Sequence, residues 1–364
     1  MKEYTAQDYL RAIDSFAPFS LAESWDNTGL LIGSPEGAVS RAIIALDATS
    51  AVIEEAGKEG AQLVVTHHPV IFSGLKRIPA HSPVYQAIKS GVAVICAHTN
   101  LDVAEGGVND ILAGLLGLRD LAVLETTQTS PYRKVIVYTP ADSAETVYSA
   151  MAKVGAGRQG HYEGAAFFSS GEGRFTPLKG ANPAIGEIGK RQRLEECRIE
   201  MLVAPGDLQA VLEAIRQAHP YEEPAFDVLE THFNKERRGL GRVGSLPQPL
   251  SPEHFARYLK DRLGIESAKC VLGSRQIERV AVCGGAGASL LEQAKQMGAQ
   301  ALVSAEAKHS QMLEAADLGM TLIDAGHYAT EAVVLPALLE NLKTALPGAE
   351  IRIARSCADP GRCI

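Results

Sequence analysis

The sequence predicts an α/β protein in which two related halves form one domain, interrupted by a ferredoxin-like insert. Three observations predict this fold class. Short apolar runs rich in β-branched residues alternate with helix-like segments. The late runs repeat the early ones, and the segment between them has a β-α-β-β-α-β pattern of its own. We assign residues 1–127 and 238–364 to one α/β domain and residues 128–237 to the insert.

The strand-like runs of the α/β domain come in two sets. The early set is AIIALD, LVVT and VAVICA, and the late set is VAVC, ALVS and TLID. Moving residues 41–66 by 238 positions onto residues 279–304 needs no gap and gives eight identities in 26 positions. Shared Ala-rich composition is the alternative explanation of this match. A true repeat would bring the carboxyl ends of both strand sets to a shared crevice, where open α/β sheets bind ligands.

The segment between the two sets follows a different pattern. RKVIVY, AFFSS, RIEMLVA and AFDVLE predict four strands, and ADSAETVYSAMAKV and DLQAVLEAIRQA predict two helices. The stretch GEGRFTPLKGANPAIGEIG is long and mostly polar, which favours a surface hairpin over a phosphate-binding loop. HPYEE at residues 219–223 is either a packed helix-to-strand turn or an exposed binding or trimer-contact loop.

The composition of the 364-residue chain excludes some partners. It has 35 Lys and Arg against 43 Asp and Glu, a net charge of −8, so nucleic acid is not an expected partner.

The stretch MKEYTAQDYLRAIDSFAPF has no uninterrupted apolar run, which predicts neither a signal peptide nor a membrane span. The six cysteines are scattered without a CxxC motif, which favours a reducing cytoplasm. Cys357 and Cys363 could pair or hold a metal, but we expect a loosely ordered tail.

Histidines and acids follow several of the predicted strands. His67, His68 and Pro69 come directly after LVVT, and a bend at Pro69 would let both imidazoles reach metal ions. GVAVICAHTNLD in the first half aligns with GMTLIDAGHYATE in the second. Each half therefore has, at a strand end, a histidine and an acid four residues later: His98 with Asp102, and His327 with Glu331.

These strand ends offer three imidazoles and two carboxylates, a set suited to two divalent ions such as Zn, Mn, Fe or Co. The candidate metal ligands are His67, His68, Asp102, His327 and Glu331. Each element alone has an ordinary alternative, since a tandem His is often a polar strand end and a His/Glu pair is often a solvated helix face. Because no cysteine accompanies the set, a closed structural zinc site is not expected.

Three residues are candidates for catalytic roles in proton transfer or substrate binding. His98 either ligates a metal or orients Asp102 or a water at the metals. Glu306 and His309 follow the late strand ALVS, at the place equivalent to the tandem histidines, and each has a surface-helix alternative.

Two glycine motifs resemble phosphate-binding loops. GLGRVG at residues 239–244 leads into SLPQP instead of a helix, so it is not interpreted as a dinucleotide fingerprint. GGAG at residues 284–287 follows VAVC and precedes ASLLEQAKQ. Its amides could hold a phosphate at a helix N-terminus, or the motif could be a tight turn that needs positive φ.

Six motifs occur in one order over nearly the whole chain: AESWDNTGLLIG, THHPVIF, AHTNLDVAEGGVND, GLGRVG, VAVCGGAGAS and IDAGHYATE. As a set they resemble the NGG-interacting-factor-three-like family of dinuclear metal-centre proteins, sometimes called GTP cyclohydrolase I type 2 homologues. The resemblance implies the same five metal ligands and a toroidal homohexamer. GHYEGAAFFSSGEGRFTPLKGANPAIG and HPYEEPAFDV are similar to the variety of the family with a PII-like or copper-tolerance-protein-like (CutA-like) insert. SAEAKHSQ departs from the family's acid-x-x-Tyr-His-Asp pattern at Lys308 and Ser310, which affects any substrate chemistry assigned to this loop but not the metals.

These features predict a cytoplasmic, metal-dependent hydrolase that acts on a small nucleotide-like substrate. Two ions about 3.5 to 4 Å apart would activate a water toward a pKa of about 7, for attack on a phosphoester or, as in cyclohydrolase chemistry, on a purine ring carbon. Glu331 or Asp102 would be the bridging carboxylate. The alternative is a non-catalytic, metal-stabilised hexameric scaffold, or a sensor whose insert responds to a small ligand or partner.

Overall fold

The computed structural model describes residues 3–361, and within that range all side chains except those of residues 233–236. The chain divides into two compact units. Unit 1 consists of Met1–Gln128 and Arg238–Ile364, and unit 2 consists of Thr129–Arg237. No helix among the described residues is long and apolar enough to cross a membrane.

Unit 1 is built from two segments of the chain, and unit 2 from the segment between them. The helices and strands of the first segment of unit 1 are β1 (Tyr4–Thr5), α1 (Ala6–Phe16), β2 (Gly29–Ile32), β3 (Ala38–Val39), β4 (Arg41–Ala45), α2 (Ser50–Lys58), β5 (Leu63–Thr66), α3 (Pro83–Ser90), β6 (Ala93–Cys96), α4 (Thr99–Val103), α5 (Val108–Leu115) and the beginning of β7 (Arg119–Pro140). Unit 2 contains the end of β7, α6 (Ala144–Lys153), β8 (Ala166–Phe175), β9 (Gln192–Val203), α7 (Leu208–Ala218) and the beginning of β10 (Phe226–Leu250). The helices and strands of the second segment of unit 1 are the end of β10, α8 (Pro252–Leu263), β11 (Lys269–Val271), β12 (Ile277–Val282), α9 (Leu291–Gln296), β13 (Ala301–Ser304), α10 (His309–Leu318), β14 (Thr321–Asp324), α11 (His327–Glu331), α12 (Leu335–Ala345) and β15 (Glu350–Ile353).

The first sheet of unit 1 has the strand order β15-β4-β5-β6-β2. Four strands are parallel, and β2 is antiparallel to β6. The crossover helices α2 and α3 begin where Thr49 and Ser82 accept hydrogen bonds from backbone N–H groups of the first turn. Because β4, β5 and β6 are parallel neighbours, the residues that follow them emerge at one edge of the sheet.

The second sheet of unit 1 has the order β11-β14-β13-β12-β10. β12, β13 and β14 are parallel, while β11 and β10 are antiparallel to their neighbours β14 and β12. Helices connect the parallel strands of both sheets, so the predicted α/β fold class is confirmed.

A hydrogen-bond pattern recurs at equivalent positions of the two sheets. The side chain of Gln62 accepts from the backbone N–H of Arg41 at 3.0 Å and donates to the carbonyl of the glycine two positions earlier at 2.8 Å. The side chain of Gln300 accepts from the backbone N–H of Arg279 at 2.8 Å and donates to the carbonyl of Gly298, also two positions earlier, at 2.8 Å. The arginine, the glycine and the glutamine of this pattern are each identical between residues 41–66 and residues 279–304. The two segments thus share side-chain roles as well as residue types.

The core of unit 1 lies on both faces of its sheets. In the first sheet, Ile44 and Val65 pack with α1 and α12, whereas their neighbours Ile43 and Val64 pack with α2 on the other face. Strands covered on both faces are continuous apolar runs rather than alternating ones, as LVVT is. The polar residues that follow such strands therefore stand out as candidate site residues.

Unit 2 has the strand order β10-β7-β9-β8 and the succession β-α-β-β-α-β. Its core includes Val137 of β7, Met151 of α6, Ile199 of β9 and Ile215 of α7. β8 and β9 pair antiparallel along their lengths, so the polar glycine-rich stretch forms the end of a hairpin, as predicted.

The HPYEE stretch of unit 2 begins at a buried histidine. His219 Nε2 donates to the carbonyl of Tyr138 at 2.9 Å, and its Nδ1 accepts from the backbone N–H of Tyr221 at 3.0 Å. These contacts match the packed-turn alternative for His219, while Glu222 and Glu223 are exposed. In the C-terminal segment, Cys357 Sγ accepts from the backbone N–H of Leu46 at 3.3 Å, and Cys363 lies outside the described residues.

Candidate metal centre

Four imidazoles meet at the carboxyl ends of strands in unit 1. His67 and His68 follow β5, His98 follows β6, and His327 begins α11 after β14. The ring centroid of His68 is 5.0 Å from that of His67, 5.6 Å from that of His98 and 5.1 Å from that of His327. The structure thus brings histidines from both sheets together.

The Nδ1 atoms of His68 and His327 are each held by a carboxylate. His68 Nδ1 donates to Asp47 Oδ1 at 2.8 Å, and His327 Nδ1 donates to Glu306 Oε1 at 2.9 Å. Because an ionised carboxylate only accepts, Nδ1 carries the proton in both rings. The neutral imidazole then has its lone pair on Nε2, the arrangement found in metal-ligating histidines.

His67 and His98 are held in the same tautomer. His67 Nδ1 donates to the carbonyl of Ala97 at 2.9 Å, and His98 Nδ1 donates to Asp26 Oδ1 at 2.9 Å. The other oxygen of Asp26 accepts from the backbone N–H of Thr99 at 3.0 Å, which fixes the carboxylate. All four imidazoles therefore keep Nε2 available for the centre of the cluster.

Glu331 lies among these Nε2 atoms and is 4% exposed. Its Oε2 is 2.8 Å from His68 Nε2, 2.9 Å from His327 Nε2 and 3.9 Å from His67 Nε2. The Nε2 atoms of His68 and His327 are 3.3 Å apart. Two ligand atoms at about 2.1 Å from one ion are roughly 3.0 to 3.4 Å apart at octahedral or tetrahedral angles. The 3.3 Å between the two imidazole nitrogens lies within this range and suits a shared cation, while the two contacts to Glu331 Oε2 have hydrogen-bond lengths.

His67 Nε2 and Asp102 Oδ1 are buried polar atoms without a hydrogen-bond partner in the part of the chain that the structure describes. They lie 3.6 Å apart, beyond hydrogen-bond length. Burying such atoms unpaired is unfavourable, and buried polar groups in proteins nearly always have a partner. A divalent cation bound to both atoms would satisfy them, so the residues present fit a metal ion.

The ionisation states of His68, His327 and Glu331 depend on one another. Burial alone would lower the pKa of His68, but hydrogen bonds to Asp47 and Glu331 outweigh it and raise this pKa to about 10. The hydrogen bond to Glu331 raises the pKa of His327 to about 9. Burial opposes ionisation of Glu331, yet hydrogen bonds from the two imidazoles hold its pKa well below the usual range. At neutral pH without metal, two imidazolium cations face one carboxylate.

For the buried pair of His67 and Asp102, burial favours the uncharged form of each side chain. Burial lowers the pKa of His67 to about 4, so this imidazole is neutral. Burial, followed by repulsion from Glu331, raises the pKa of Asp102 well above its usual range. The cluster is therefore ready to bind metal at His67 but has to lose protons from other ligands.

Metal binding should release protons and become tighter as pH rises. His68, His327 and Asp102 carry protons in the metal-free protein and must lose them to coordinate a cation. We expect the apparent affinity to increase with pH up to about 9, the pKa of His327, and to level off above about 10, that of His68. Calorimetric titration in buffers of different ionisation enthalpy measures both affinity and proton release.

The stability of the metal-free protein should decrease as pH rises, whereas the metal affinity should increase. A raised histidine pKa stabilises the fold fully below the unfolded value of 6.5, and this contribution is lost as pH rises to about 9 and 10. Denaturant unfolding of metal-free protein across this range is the control. A metal affinity that does not change with pH and no released protons would contradict the assignment of these ligands.

The glycine-rich GGAG turn packs against Glu331. A Cβ atom on Gly285 would lie 2.1 Å from Glu331 Oε1, and φ at this glycine is +61°. Three amides of the turn already donate to side-chain oxygens of unit 1: Gly284 to Asn109, Gly285 to Thr330, and Gly287 to Ser304. Of the two alternatives left open by the sequence, the contacts favour the tight turn over a phosphate cradle.

The remaining predicted residues lie at different distances from the cluster. Glu306 contacts it through His327 and has a left-handed backbone, with φ of +54°. His309 begins α10 with an exposed side chain and does not line the cleft beside the cluster.

Two carboxylates that hold the imidazoles, Asp47 and Asp26, were not predicted from the sequence. Asp47 ends the run AIIALD, so the strand-end argument that selected the histidines could have found it.

The cluster opens into a cleft of about 580 Å³. Fold and site together define a class: an α/β protein with a group of histidines and carboxylates, suited to metal, at the carboxyl ends of its strands. The chain belongs to the Duf34/NIF3 (NGG1p interacting factor 3) family, whose model matches residues 4–360. The family resemblance stated from the motifs is thereby confirmed.

Curated relatives and a solved structure agree with this assignment. The chain is 37% identical to the GTP cyclohydrolase 1 type 2 homolog of Bacillus subtilis over 333 residues, 90% of this chain and 89% of the relative. It is 36% identical to the protein of the same name from Halalkalibacterium halodurans, over 95% of this chain and 94% of the relative. The crystal structure of a Bacillus cereus protein related to NIF3 matches with a TM-score of 0.88 and 34% identity, covering 100% of both chains.

Proposed function

We propose that the protein is a metal-dependent hydrolase for a small nucleotide-like substrate. In this proposal two divalent ions, such as Zn, Mn, Fe or Co, are held by His67, His68, Asp102, His327 and Glu331. The observation that carries the proposal is the pair of buried atoms, His67 Nε2 and Asp102 Oδ1, that have no partner and lie 3.6 Å apart. The name shared by the Bacillus subtilis and Halalkalibacterium halodurans relatives supports a nucleotide-like substrate.

The five ligands divide into two sets that meet at Glu331. His68 and His327 contact Glu331 Oε2 directly, whereas His67 and Asp102 form the buried pair. Glu331 Oε2 also lies 3.9 Å from His67 Nε2, so Glu331, rather than Asp102, is the carboxylate that would help to hold metal in both sets. When bound, a pair of divalent ions supplies Lewis-acid activation of a water and neutralises charge that develops on the substrate.

We assign proton transfer to His98. Asp26 holds its Nδ1 at 2.9 Å and is itself fixed by Thr99, so the ring can take up or give a proton at Nε2 without changing orientation. Glu306 has a different task, since it fixes the orientation of His327. His309 is assigned no step.

A turnover screen with a His98 variant tests the proposal. Metal-replete protein is assayed against GTP, other nucleotides and generic phosphoesters. His98→Gln should lower kcat by about 10² to 10⁴, the usual contribution of a general acid or base, while metal content stays unchanged. His254→Gln, on an exposed position of α8, is the matched control. Loss of metal from His98→Gln would make His98 a ligand instead.

An inactive wild-type protein would reject the hydrolase proposal. If metal-replete protein turns over none of these substrates and retains its metal, the cluster belongs to a non-catalytic scaffold or sensor. Elemental analysis of each preparation separates this result from simple metal loss.

We also propose a finer description of the fold. The shared roles of Gln62 and Gln300 support two related halves in unit 1. The strand order β10-β7-β9-β8 with two helices supports a ferredoxin-like insert, of the PII-like or CutA-like variety, in unit 2. Circular dichroism of residues 129–237 expressed alone would test whether the insert forms this sheet by itself, and an unfolded fragment would argue against it.

A further inference from the structure

Two exposed aromatic rings lie beside the metal-ligand cluster. Trp25 and Phe72 are each 57% exposed, with ring centroids 5.9 Å apart and an interplanar angle of 46°. Trp25 also approaches His98, at 6.3 Å between centroids and an angle of 77°. Both rings line the same cleft as His68, His98 and Glu331. Aromatic surface grouped in this way at a cleft is typical of a binding site.

The residues next to the two rings connect the segments that carry them. Asp26, which follows Trp25, accepts hydrogen bonds from His98 and from Thr99. The side-chain amide of Asn27 donates to the carbonyl of Ile71 at 2.5 Å, and Ile71 precedes Phe72. The WDN sequence thus ties the segment of Trp25 to the segment of Phe72 and ties both to His98. The two backbone segments that carry the rings are held together before any ligand binds, which limits the entropy lost on binding.

We infer that Trp25 and Phe72 form a stacking platform for the planar heteroaromatic ring of the substrate. This inference rests on the proposed function and narrows its substrate class to nucleosides and nucleotides, as opposed to phosphoesters without a base. Every nucleobase has a flat face that stacks on aromatic side chains. The platform lies next to His98, so a stacked ring would be near the group assigned to proton transfer.

The cleft has the size and lining that such a ligand needs. Its volume of about 580 Å³ falls within the range of small-molecule sites, roughly 300 to 1,000 Å³. Leu240 and Leu290 add apolar surface, and Ser289 adds a hydroxyl that could orient the edge of a base. An apolar cleft with a few polar groups favours a flat, partly apolar ligand over a compact phosphate ester.

The single tryptophan of the chain provides a direct measurement. The full-length, metal-loaded protein is titrated with guanosine 5′-monophosphate and, in parallel, with ribose 5-phosphate, which lacks the base. We expect the first compound to quench Trp25 fluorescence with saturation and the second to leave it unchanged. Phe72→Leu should weaken binding of guanosine 5′-monophosphate about tenfold, because one stacking face is lost.

Calorimetry extends the test to variants without tryptophan. Trp25→Leu should weaken binding about tenfold, whereas Trp25→Phe, which keeps an aromatic face, should lose less. Tyr162→Leu removes a 77% exposed ring of unit 2 and is the matched control, with unchanged binding expected. Metal content of each variant is measured alongside, since a loss of ligand binding through loss of metal would overturn the assignment.

The outcomes separate this inference from the proposed hydrolase. Saturable quenching by the nucleotide without any turnover supports the platform and rejects the hydrolase. Equal binding of both compounds, or binding that Phe72→Leu and Trp25→Leu leave unchanged, overturns the platform. Trp25 emission that changes with protein concentration alone, together with association in light scattering that Phe72→Leu abolishes, would assign the rings to contacts with a second copy and also overturn it.

Discussion

Replacing Glu331 by glutamine should remove metal from both ligand sets. Glu331 Oε2 contacts the Nε2 atoms of His68 and His327 at 2.8 and 2.9 Å and faces His67 at 3.9 Å, so one oxygen serves both sets. Loss of a residue that only supports a ligand weakens metal binding about 10- to 100-fold, and loss of a shared charged ligand should exceed that. Elemental analysis after dialysis, with chelator competition for the affinity, measures the effect.

The same substitution should change the metal-free protein in a predictable way. Without the Glu331 charge, the pKa values of His68 and His327 should fall, because hydrogen bonds to this carboxylate help to raise both. The decrease in stability between pH 6.5 and about 10 should then be smaller than in the wild type. Glu340→Gln, on an exposed position of α12, is the control. Metal content unchanged in Glu331→Gln would contradict the proposed centre.

The sequence was sufficient to select the residues of the cluster because they follow buried strands. Apolar runs such as LVVT predict strands covered on both faces, and polar residues immediately after them stand out. The repeat then indicates that the strand ends of both halves occupy equivalent places. On this basis the sequence selected His67, His68, Asp102, His327 and Glu331, and the structure places all five in one cluster. Their binding of metal stays a prediction.

The supporting contacts could not be read from the sequence in the same way. His98 is held by Asp26, 72 positions earlier, and the position of Asp26 depends on how the loop before β2 passes over the strand ends. The platform of Trp25 and Phe72 depends on the bond from Asn27 to the carbonyl of Ile71, a backbone group with no sequence signature. Local patterns predict which residues leave a strand end, whereas packing of distant segments decides which partners they contact.

The GGAG turn packs against Glu331, and Gly285→Ala should show whether metal binding depends on this contact. The new Cβ would lie 2.1 Å from Glu331 Oε1 and 3.3 Å from His327 Nε2, so the carboxylate has to leave its present position beside the imidazoles or the turn has to shift. The positive φ of +61° adds strain of about 1 to 2 kcal/mol. We expect a large loss of metal affinity, close to that of Glu331→Gln, although residue 285 carries no ligand atom in its side chain. Metal analysis and denaturant unfolding of the same preparations give the two effects.

Gly60→Ala separates backbone strain from displacement of the carboxylate. Gly60 has φ of +65°, close to that of Gly285, but nothing lies within 4 Å of its Cβ position. Alanine at either position should therefore lower stability by a similar strain term, about 1 to 2 kcal/mol, while only the Gly285 variant should lose metal. If Gly285→Ala retains metal as tightly as Gly60→Ala does, Glu331 tolerates displacement and is not the shared ligand. A metal loss confined to Gly285→Ala would instead mean that this turn is glycine-rich to make space for the carboxylate.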